Sequence, residues 1–168
     1  VDSVEGQGST FWFTLPLEQA QSLPAVPYPG ELAGRRVLVV DDNATNAEIL
    51  DYHAQAVGMR SATASDGLAG LEQLRKAARE GNPFELAIID MKMPRMDGLA
   101  LATAVRNDPA LAGLRIVLVT SLHSTDELAR AREAGISAYL SKPVRRHELY
   151  RALAQAVGGV VTEPAPNS

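Results

Sequence analysis

Short apolar runs that alternate with amphipathic stretches constrain the fold of this 168-residue chain more than any other feature. Such runs are typical of strands buried on both faces of a parallel sheet. Strands alternating with helices predict βαβ units with right-handed crossovers. Asp66 and Thr125 stand where helix N-caps are expected. The predicted strands are Arg36–Val40, Ser61–Ala64, Leu86–Ile89, Arg115–Val119 and Ala138–Leu140, and the predicted helices cover residues 44–57, 67–80, 98–107, 125–134 and 145–157.

The ends of the chain differ from this regular part. Gly6–Ser9 is typical of a tight turn, and the aromatic run Thr10–Leu15 is typical of a strand. Proline-rich sequence follows, which favours an extended linker. The predicted units are a strand-containing segment at residues 1–17, a linker at 18–34, one α/β domain at 35–157 and a disordered tail at 158–168.

Composition excludes several classes of function. The chain has no cysteine, which excludes thiol catalysis and cysteine-ligated zinc. Its formal net charge of -4 gives no long-range attraction to nucleic acid, so no direct nucleic-acid contact is expected. No apolar run approaches the roughly 20 residues that span a bilayer. We therefore expect a cytoplasmic piece of a longer protein without membrane contact of its own, whose membrane anchor, if it has one, lies in a missing N-terminal part.

Polar residues follow four of the five predicted strands. Asp41 and Asp42 come after the first strand, Asp90 after the third, Thr120 after the fourth, and Lys142 just beyond the fifth. A single Asp or Thr at such a place is usually a helix cap. Parallel strands, however, bring their carboxyl ends to one edge of the sheet, where ligands bind. The coincidence of all these residues at one edge therefore favours a functional site.

These residue types suit phosphoryl transfer. Three neighbouring carboxylates repel one another unless a cation is present, and Mg²⁺ prefers such oxygen ligands. Asp90 is then a candidate nucleophile that forms an acyl phosphate. The Lys142 ammonium and the Thr120 hydroxyl are suited to bind phosphoryl oxygens.

Four stretches of the sequence resemble the receiver domain of response regulators. They are VLVVDDN (37–43), IIDMKMPRMDG (88–98), IVLVTSL (116–122) and AYLSKP (138–143). The resemblance implies a flavodoxin-like, doubly wound sheet of five strands in the order 2-1-3-4-5, with five helices. It also implies Mg²⁺-dependent transfer to Asp90 from a phosphohistidine of a kinase or a histidine-phosphotransfer domain, and a switching surface formed by the fourth helix, fifth strand and fifth helix.

The same resemblance implies a role for individual residues. Asp41, Asp42, Asp90 and the main-chain carbonyl of Lys92 are the expected Mg²⁺ ligands. Thr120 and Tyr139 match the switch pair of the family, although Tyr139 alone also reads as a half-buried core residue. Lys142 matches the phosphate-binding lysine, and Pro143 is expected to follow a cis peptide bond.

A second resemblance concerns the N-terminal segment. GQGSTFWFTLPL (6–17) is similar to the last glycine box and final strand of a histidine-kinase ATP-binding domain, and Asn43 and Asn46 resemble hybrid-type receivers. The order of segments implies a hybrid sensor histidine kinase. We expect this piece to promote its own phosphorylation without binding ATP or acting as a stand-alone enzyme. A homodimer or an intramolecular kinase contact is a further expected partner.

Two other functions remain open on the sequence. One is a binding module that signals without phosphorylation, which the complete set of site residues argues against. The other is a phosphatase or kinase, yet a haloacid-dehalogenase-like phosphatase would carry an acid where Lys92 stands. His53, His123 and His147 lack the surroundings of a phosphohistidine motif and are interpreted as surface or packing residues.

Overall fold

A five-stranded parallel sheet forms the centre of the protein. The computed structural model describes residues 1–4, 8–14, 31–121 and 134–158. In chain order the strands are β1 (Asp2–Val4), β2 (Gly8–Thr10), β3 (Arg36–Val40), β4 (Arg60–Ala64), β5 (Leu86–Asp90), β6 (Arg115–Thr120) and β7 (Ala138–Ser141). The large sheet has the order β4-β3-β5-β6-β7, and every neighbouring pair is parallel. This is the predicted flavodoxin-like order, which is confirmed.

Side-chain caps explain where three of the helices begin. Asn43, Asp66 and Asp97 each accept a hydrogen bond from the main-chain amide three residues later. The predicted helix at 125–134 lies outside the described residues, except for Ala134, which is in a turn. The α-helices of the described residues are α1 (Ala44–Ala56), α2 (Gly67–Arg79), α3 (Gly98–Arg106) and α4 (Arg146–Ala156), and an unpredicted 3-10 helix covers Pro109–Leu111.

The sheet is covered on both faces, which is why its inner strands β3, β5 and β6 are almost entirely apolar, whereas the edge strand β4 is not. Because side chains alternate along a strand, Leu38 and Val40 face one way and Val37 and Val39 face the other. The first pair packs with residues of α2 and α3, and the second pair packs with residues of α1 and α4. No helix in the described ranges is long and apolar enough to cross a membrane.

The predicted N-terminal strand is wrong over most of its described length. β1 and β2 form an antiparallel pair in which Asp2 lies opposite Thr10. Gly8 and Ser9, predicted in a turn, belong to β2, whereas residues 11–14 have no regular secondary structure. A strand requires a hydrogen-bonding neighbour, and β1 offers one only to residues 8–10. The side chains of Phe11, Trp12 and Phe13 are exposed.

Packing begins before the predicted start of the domain at residue 35. Leu32 is only 1% exposed and belongs to the core cluster beneath α1 and α4. The Gly34 amide donates a hydrogen bond to the carbonyl of Gly58 at 2.8 Å. The end of the predicted linker is therefore part of the folded core. Residues 15–30 and 159–168, with the rest of the linker and most of the predicted tail, lie outside the described residues.

Candidate functional site

Three carboxylates meet at the carboxyl edge of the sheet. Asp41 and Asp42 follow β3, and Asp90 is the last residue of the neighbouring strand β5. One oxygen from each of the three lies within 4.8 Å of the others. Asp41 and Asp90 are buried, whereas Asp42 is exposed to solvent. The acidic residues predicted to bind a metal are thus brought together.

Lys142 directly follows β7, and its side chain reaches the acidic cluster. In the sheet, β7 and β3 lie on opposite sides of β5. Its main-chain amide donates to the carbonyl of Thr120 at 2.9 Å, which fixes the end of β7 beside β6. Its Nζ lies 2.8 Å from Asp90 Oδ1 and 3.6 Å from Asp41 Oδ2. The Lys142–Pro143 peptide bond is cis, as predicted.

The cluster carries more negative than positive charge. Burial is the main cause that raises the pKa of Asp90, and the charges of Asp41 and Asp42 raise it further against the opposing effect of Lys142. Burial alone would lower the pKa of Lys142, but its contacts with Asp90 and Asp41 outweigh burial and raise it. Lys142 is therefore a firmly protonated cation. One ammonium cannot balance three carboxylates, and two negative charges remain.

The donor atoms fit a hard divalent cation. Asp41 Oδ1 accepts a hydrogen bond from the Asn43 amide at 2.8 Å, whereas its buried Oδ2 faces the Lys142 ammonium at the longer distance of 3.6 Å. Because Lys142 lies closer to Asp90, it compensates the burial of this Asp41 oxygen only in part, and a divalent cation would supply the rest. Asp42 and Lys92 also line an open cavity of about 500 Å³. That Mg²⁺ is the ion and that the Lys92 carbonyl is a ligand remain predictions.

Gly98 allows the following helix to pack directly against the main chain of Asp90. A Cβ atom at Gly98 would lie 2.5 Å from the Asp90 carbonyl oxygen. The Gly98 amide donates to the Met91 carbonyl at 2.9 Å, and the Met91 amide donates to Val119 at 2.8 Å. The loop from Met91 to Asp97 is therefore closed tightly between β5 and α3.

Thr120 and Tyr139 lie on one face of the sheet. In the parallel pair of β6 and β7, Leu118 lies opposite Tyr139 and Thr120 lies opposite Ser141. Because side chains alternate, Thr120, Leu118 and Tyr139 share a face, and Thr120 and Tyr139 are diagonal neighbours. Tyr139 is half-buried against the core cluster beneath α2 and α3. This position suits a switch pair and equally a core tyrosine, so the switch role remains a prediction.

The structure describes His53 and His147, and both contact residues outside the acidic cluster. The ring of His53 packs edge-on against that of Tyr150 with centroids 6.2 Å apart, and Tyr150 Oη donates to the His53 carbonyl at 3.1 Å. Burial, together with the charge of Arg146, lowers the pKa of His53. His147 is exposed next to Glu148, and His123 lies outside the described residues. His53 is thus a packing residue and His147 a surface residue, in agreement with the interpretation from the sequence.

A groove beside the site was not predicted from the sequence. It has a volume of about 510 Å³ and runs past Asp41 and Lys142. Its walls combine residues from α1 with residues that follow β7, roughly 100 positions later, so no local pattern reveals it. The other residues that line it are mostly apolar: Asn46, Ile49, Leu50, Val119, Pro143 and Val144.

Comparison with known proteins gives the family. The family model described as the response regulator receiver domain matches residues 37–154, which include all the carboxylates, Thr120 and Lys142. The chain belongs to the response regulator receiver domain family. Among solved structures, this receiver resembles the chemotaxis protein CheY4 of Vibrio cholerae, with a TM-score of 0.68 and 27% identity over 74% of this chain and 99% of that one.

Two of the curated relatives are sensor kinases that are much longer than this chain. Sensor histidine kinase AruS of Pseudomonas aeruginosa is 35% identical over 92% of this chain but only 15% of its own length. Autoinducer 2 sensor kinase/phosphatase LuxQ of Vibrio vulnificus is 31% identical over 88% of the chain and 17% of its own length. Chemotaxis protein CheY of P. aeruginosa is 34% identical over 64% of the chain and 84% of its own length. The chain therefore spans about one sixth of the length of the two sensor kinases named here.

Proposed function

We propose that Asp90 accepts a phosphoryl group from a phosphohistidine of a histidine kinase or a phosphotransfer domain. The observation that carries this proposal is the 2.8 Å contact between Asp90 Oδ1 and Lys142 Nζ within an acidic cluster. A carboxylate oxygen of Asp90 attacks the phosphorus, an O–P bond forms while the P–N bond breaks, and the imidazole nitrogen leaves with the electron pair. Lys142 and the Thr120 hydroxyl bind the phosphoryl oxygens during transfer.

The position of Asp90 in the sheet distinguishes it from the other two acids. β5 is the middle strand of the five, between β3 with Asp41 and Asp42 and β6 with Thr120. Asp90 thus has cation-binding acids on one side and phosphate-binding groups on the other. A Mg²⁺ ion held by Asp41, Asp42, Asp90 and the Lys92 carbonyl would supply neutralisation of the phosphoryl charge.

Phosphorylation of the purified chain by a small acyl phosphate tests this function. With Mg²⁺, intact-mass measurement should show the addition of one phosphoryl group to the wild type and none to Asp90→Asn. Asp108→Asn is the matched control, because this acid caps the 3-10 helix and pairs with Arg75, away from the cluster. Equal labelling of Asp90→Asn and the wild type, or no labelling of either, would contradict the proposal.

Phosphorylation is proposed to shift the population of two conformations. Thr120 would move towards the phosphoryl group, and Tyr139, its neighbour on the same face, would follow. The surface that changes is formed by the predicted helix at 125–134 together with β7 and α4. This proposal is supported by the shared sheet face of Thr120 and Tyr139.

The phosphohistidine donor is proposed to dock on the groove beside α1. The groove reaches Asp41 and Lys142, so a partner seated there is next to the acceptor. Ile49 lines the groove and Tyr52 follows one turn later on α1, and their side chains are 50% and 70% exposed. Exposed apolar side chains beside a reactive site suit a helical partner with an apolar face.

The parent protein is proposed to be a cytoplasmic or membrane-anchored hybrid histidine kinase. Residues 1–17 then belong to the ATP-binding domain, 18–30 form the linker, 31–157 form the receiver and 158–168 form a tail. Similarity to AruS over 92% of the chain supports this origin, as do the exposed aromatic side chains of Phe11, Trp12 and Phe13. The sequence of the full-length gene product tests it directly.

A further inference from the structure

Asp66 is a buried charge that the phosphoacceptor site does not use. The buried polar side chains of the described residues are those of Asp41, Asp66, Asp90 and Thr120. All but Asp66 belong to the site, yet Asp66 is only 6% exposed. Its Oδ1 caps α2 by accepting a hydrogen bond from the Ala69 amide at 3.0 Å. An uncharged Ser or Asn would cap equally well, so capping does not account for a buried carboxylate.

The second oxygen of Asp66 pairs with Arg95. Asp66 Oδ2 accepts a hydrogen bond from Arg95 Nη2, although most of the Arg95 side chain is exposed. The main chain of Arg95 has a φ of 67°, the one positive value among the non-glycine residues that the structure describes. This conformation is unfavourable for an L-residue and persists where surrounding contacts enforce it. The ion pair to Asp66 is such a contact.

Arg95 belongs to the loop that connects the phosphoacceptor strand to α3. The beginning of this loop is fixed by the Met91 hydrogen bonds and by the burial of Met91 and Met93. Its later part lies against the start of α2, because a Cβ atom on Gly67 would come within 2.5 Å of the Met96 carbonyl oxygen. Lys92, which lines the cavity shared with Asp42, lies between Met91 and Met93 and three residues before Arg95.

We propose that the Asp66–Arg95 ion pair is a brace that positions the Met91–Asp97 loop for cation binding. The brace ties the loop to the end of β4 and the start of α2, and so fixes the Lys92 main chain relative to the acidic cluster. Asp66 and Arg95 act as positioning residues and do not bind the cation themselves. The inference rests on the proposed function, because it requires the acidic cluster to bind a divalent cation.

Titration calorimetry with MgCl₂ tests the brace in the intact chain. Arg95→Ala removes the guanidinium, and Asp66→Asn removes the charge while keeping a good helix cap. Each variant should bind Mg²⁺ about tenfold more weakly, as is common when groups behind a metal site are removed. The double variant should be no weaker than either single one, because both changes break the same contact. With saturating Mg²⁺, phosphorylation by a small acyl phosphate should proceed at close to the wild-type rate.

Arg75→Ala is the matched control. Arg75 is a partly exposed arginine on α2 that pairs with Asp108 at 2.7 Å, away from the loop. This variant should bind Mg²⁺ like the wild type, and Arg95→Lys should recover part of the affinity that Arg95→Ala loses. Wild-type affinity in Arg95→Ala and Asp66→Asn would overturn the brace.

The wild-type measurements separate the brace from the proposed function. A wild-type chain that binds no Mg²⁺ would overturn the cation site and the brace together. A chain that binds Mg²⁺ without taking up a phosphoryl group would overturn only the proposed function, and the affinities of the variants would still decide on the brace.

Discussion

The proposed chemistry requires Asp90 to be ionised, whereas the stability of the fold favours its protonated form. A nucleophilic carboxylate must be ionised, but burial and the charges of Asp41 and Asp42 raise the pKa of Asp90. The folded state therefore favours the protonated acid more than the unfolded chain does. Lys142, whose own pKa is raised, counters this effect in part. A divalent cation at the cluster would counter the rest, which links cation binding to readiness for phosphoryl transfer.

Asp90→Asn should stabilise the protein near pH 7 when divalent cations are removed by EDTA. Because the folded pKa of Asp90 lies above the unfolded one, its ionisation destabilises the fold once the pH rises through the folded value. The variant escapes this loss, and a gain on the order of 1 kcal/mol would raise the unfolding midpoint by a few degrees. The gap should shrink as the pH falls through the raised folded pKa of Asp90 and should vanish once the acid is protonated in the unfolded chain as well. Thermal unfolding followed by circular dichroism measures both effects, and Mg²⁺ should stabilise the wild type more than the variant.

Asp108→Asn provides a control of opposite sign. The hydrogen bond from Arg75 is the main cause that lowers the pKa of Asp108, so its ionised form stabilises the fold above the unfolded pKa. This variant should lose stability near pH 7, and the loss should fade as the pH falls. An unfolding midpoint of Asp90→Asn equal to or below that of the wild type near pH 7 in EDTA would contradict the claim that ionised Asp90 destabilises the cation-free protein.

Single residues differ in how far the sequence predicts them. The sequence predicts Asp41, Asp42, Asp90, Thr120 and Lys142 because each stands at or just beyond the end of a recognisable strand, and parallel strands end at the same edge. The pair of Asp66 and Arg95 was not found, because its members are 29 positions apart and only the cap function of Asp66 has a local signature. An arginine with positive φ also lacks a signature, since glycine or asparagine is the usual sign of that conformation.

At the level of elements, local signals set the boundaries well wherever the tertiary structure agrees with them. The bounds of α1 to α4 agree with prediction to within one residue at each end. Asp66 marks the start of α2, and a glycine within two residues marks the end of α1, α2 and α4. Gly58 and Gly81 adopt positive φ just beyond α1 and α2. The run Thr10–Leu15 shows the opposite case, since its described residues beyond Thr10, 11–14, have strand propensity but pair with no strand of the described residues.

Truncation of Ile49 on α1 should impair transfer from a protein donor without affecting chemical phosphorylation. Ile49→Ala keeps the helix propensity but removes an exposed apolar contact of the groove. We expect transfer from a phosphohistidine-bearing partner to slow about tenfold, the equivalent of losing one good apolar contact. Labelling by a small acyl phosphate should be unchanged. Leu68→Ala, which truncates a similarly exposed side chain on α2, is the control, and equal effects of the two variants would argue against docking on the groove.

At the level of the whole molecule, the fold was predictable because both kinds of core element, the central strands and the helices that cover them, have a recognisable sequence pattern. Continuous apolar runs mark strands covered on both faces, and amphipathic stretches mark the covering helices. The extent of the domain was less predictable. Leu32 lies among prolines and glycines that indicate a linker, yet it contributes to the same core cluster as Val37 and Leu153. A single buried leucine carries no periodic signal, so only the three-dimensional packing reveals it.

Leu32→Ala should therefore destabilise the receiver although the residue lies in the predicted linker. Its side chain is almost fully buried, and replacing a buried leucine by alanine typically costs about 2–5 kcal/mol. Urea denaturation should show a lower midpoint with an unchanged slope. A chain that begins at Arg35 should lose a similar amount, whereas one that begins at Glu31 should keep nearly the full stability. Val4→Ala truncates an exposed side chain of β1 and should change little, so a comparable loss in Val4→Ala, or none in Leu32→Ala, would show that the folded core does not begin at Glu31.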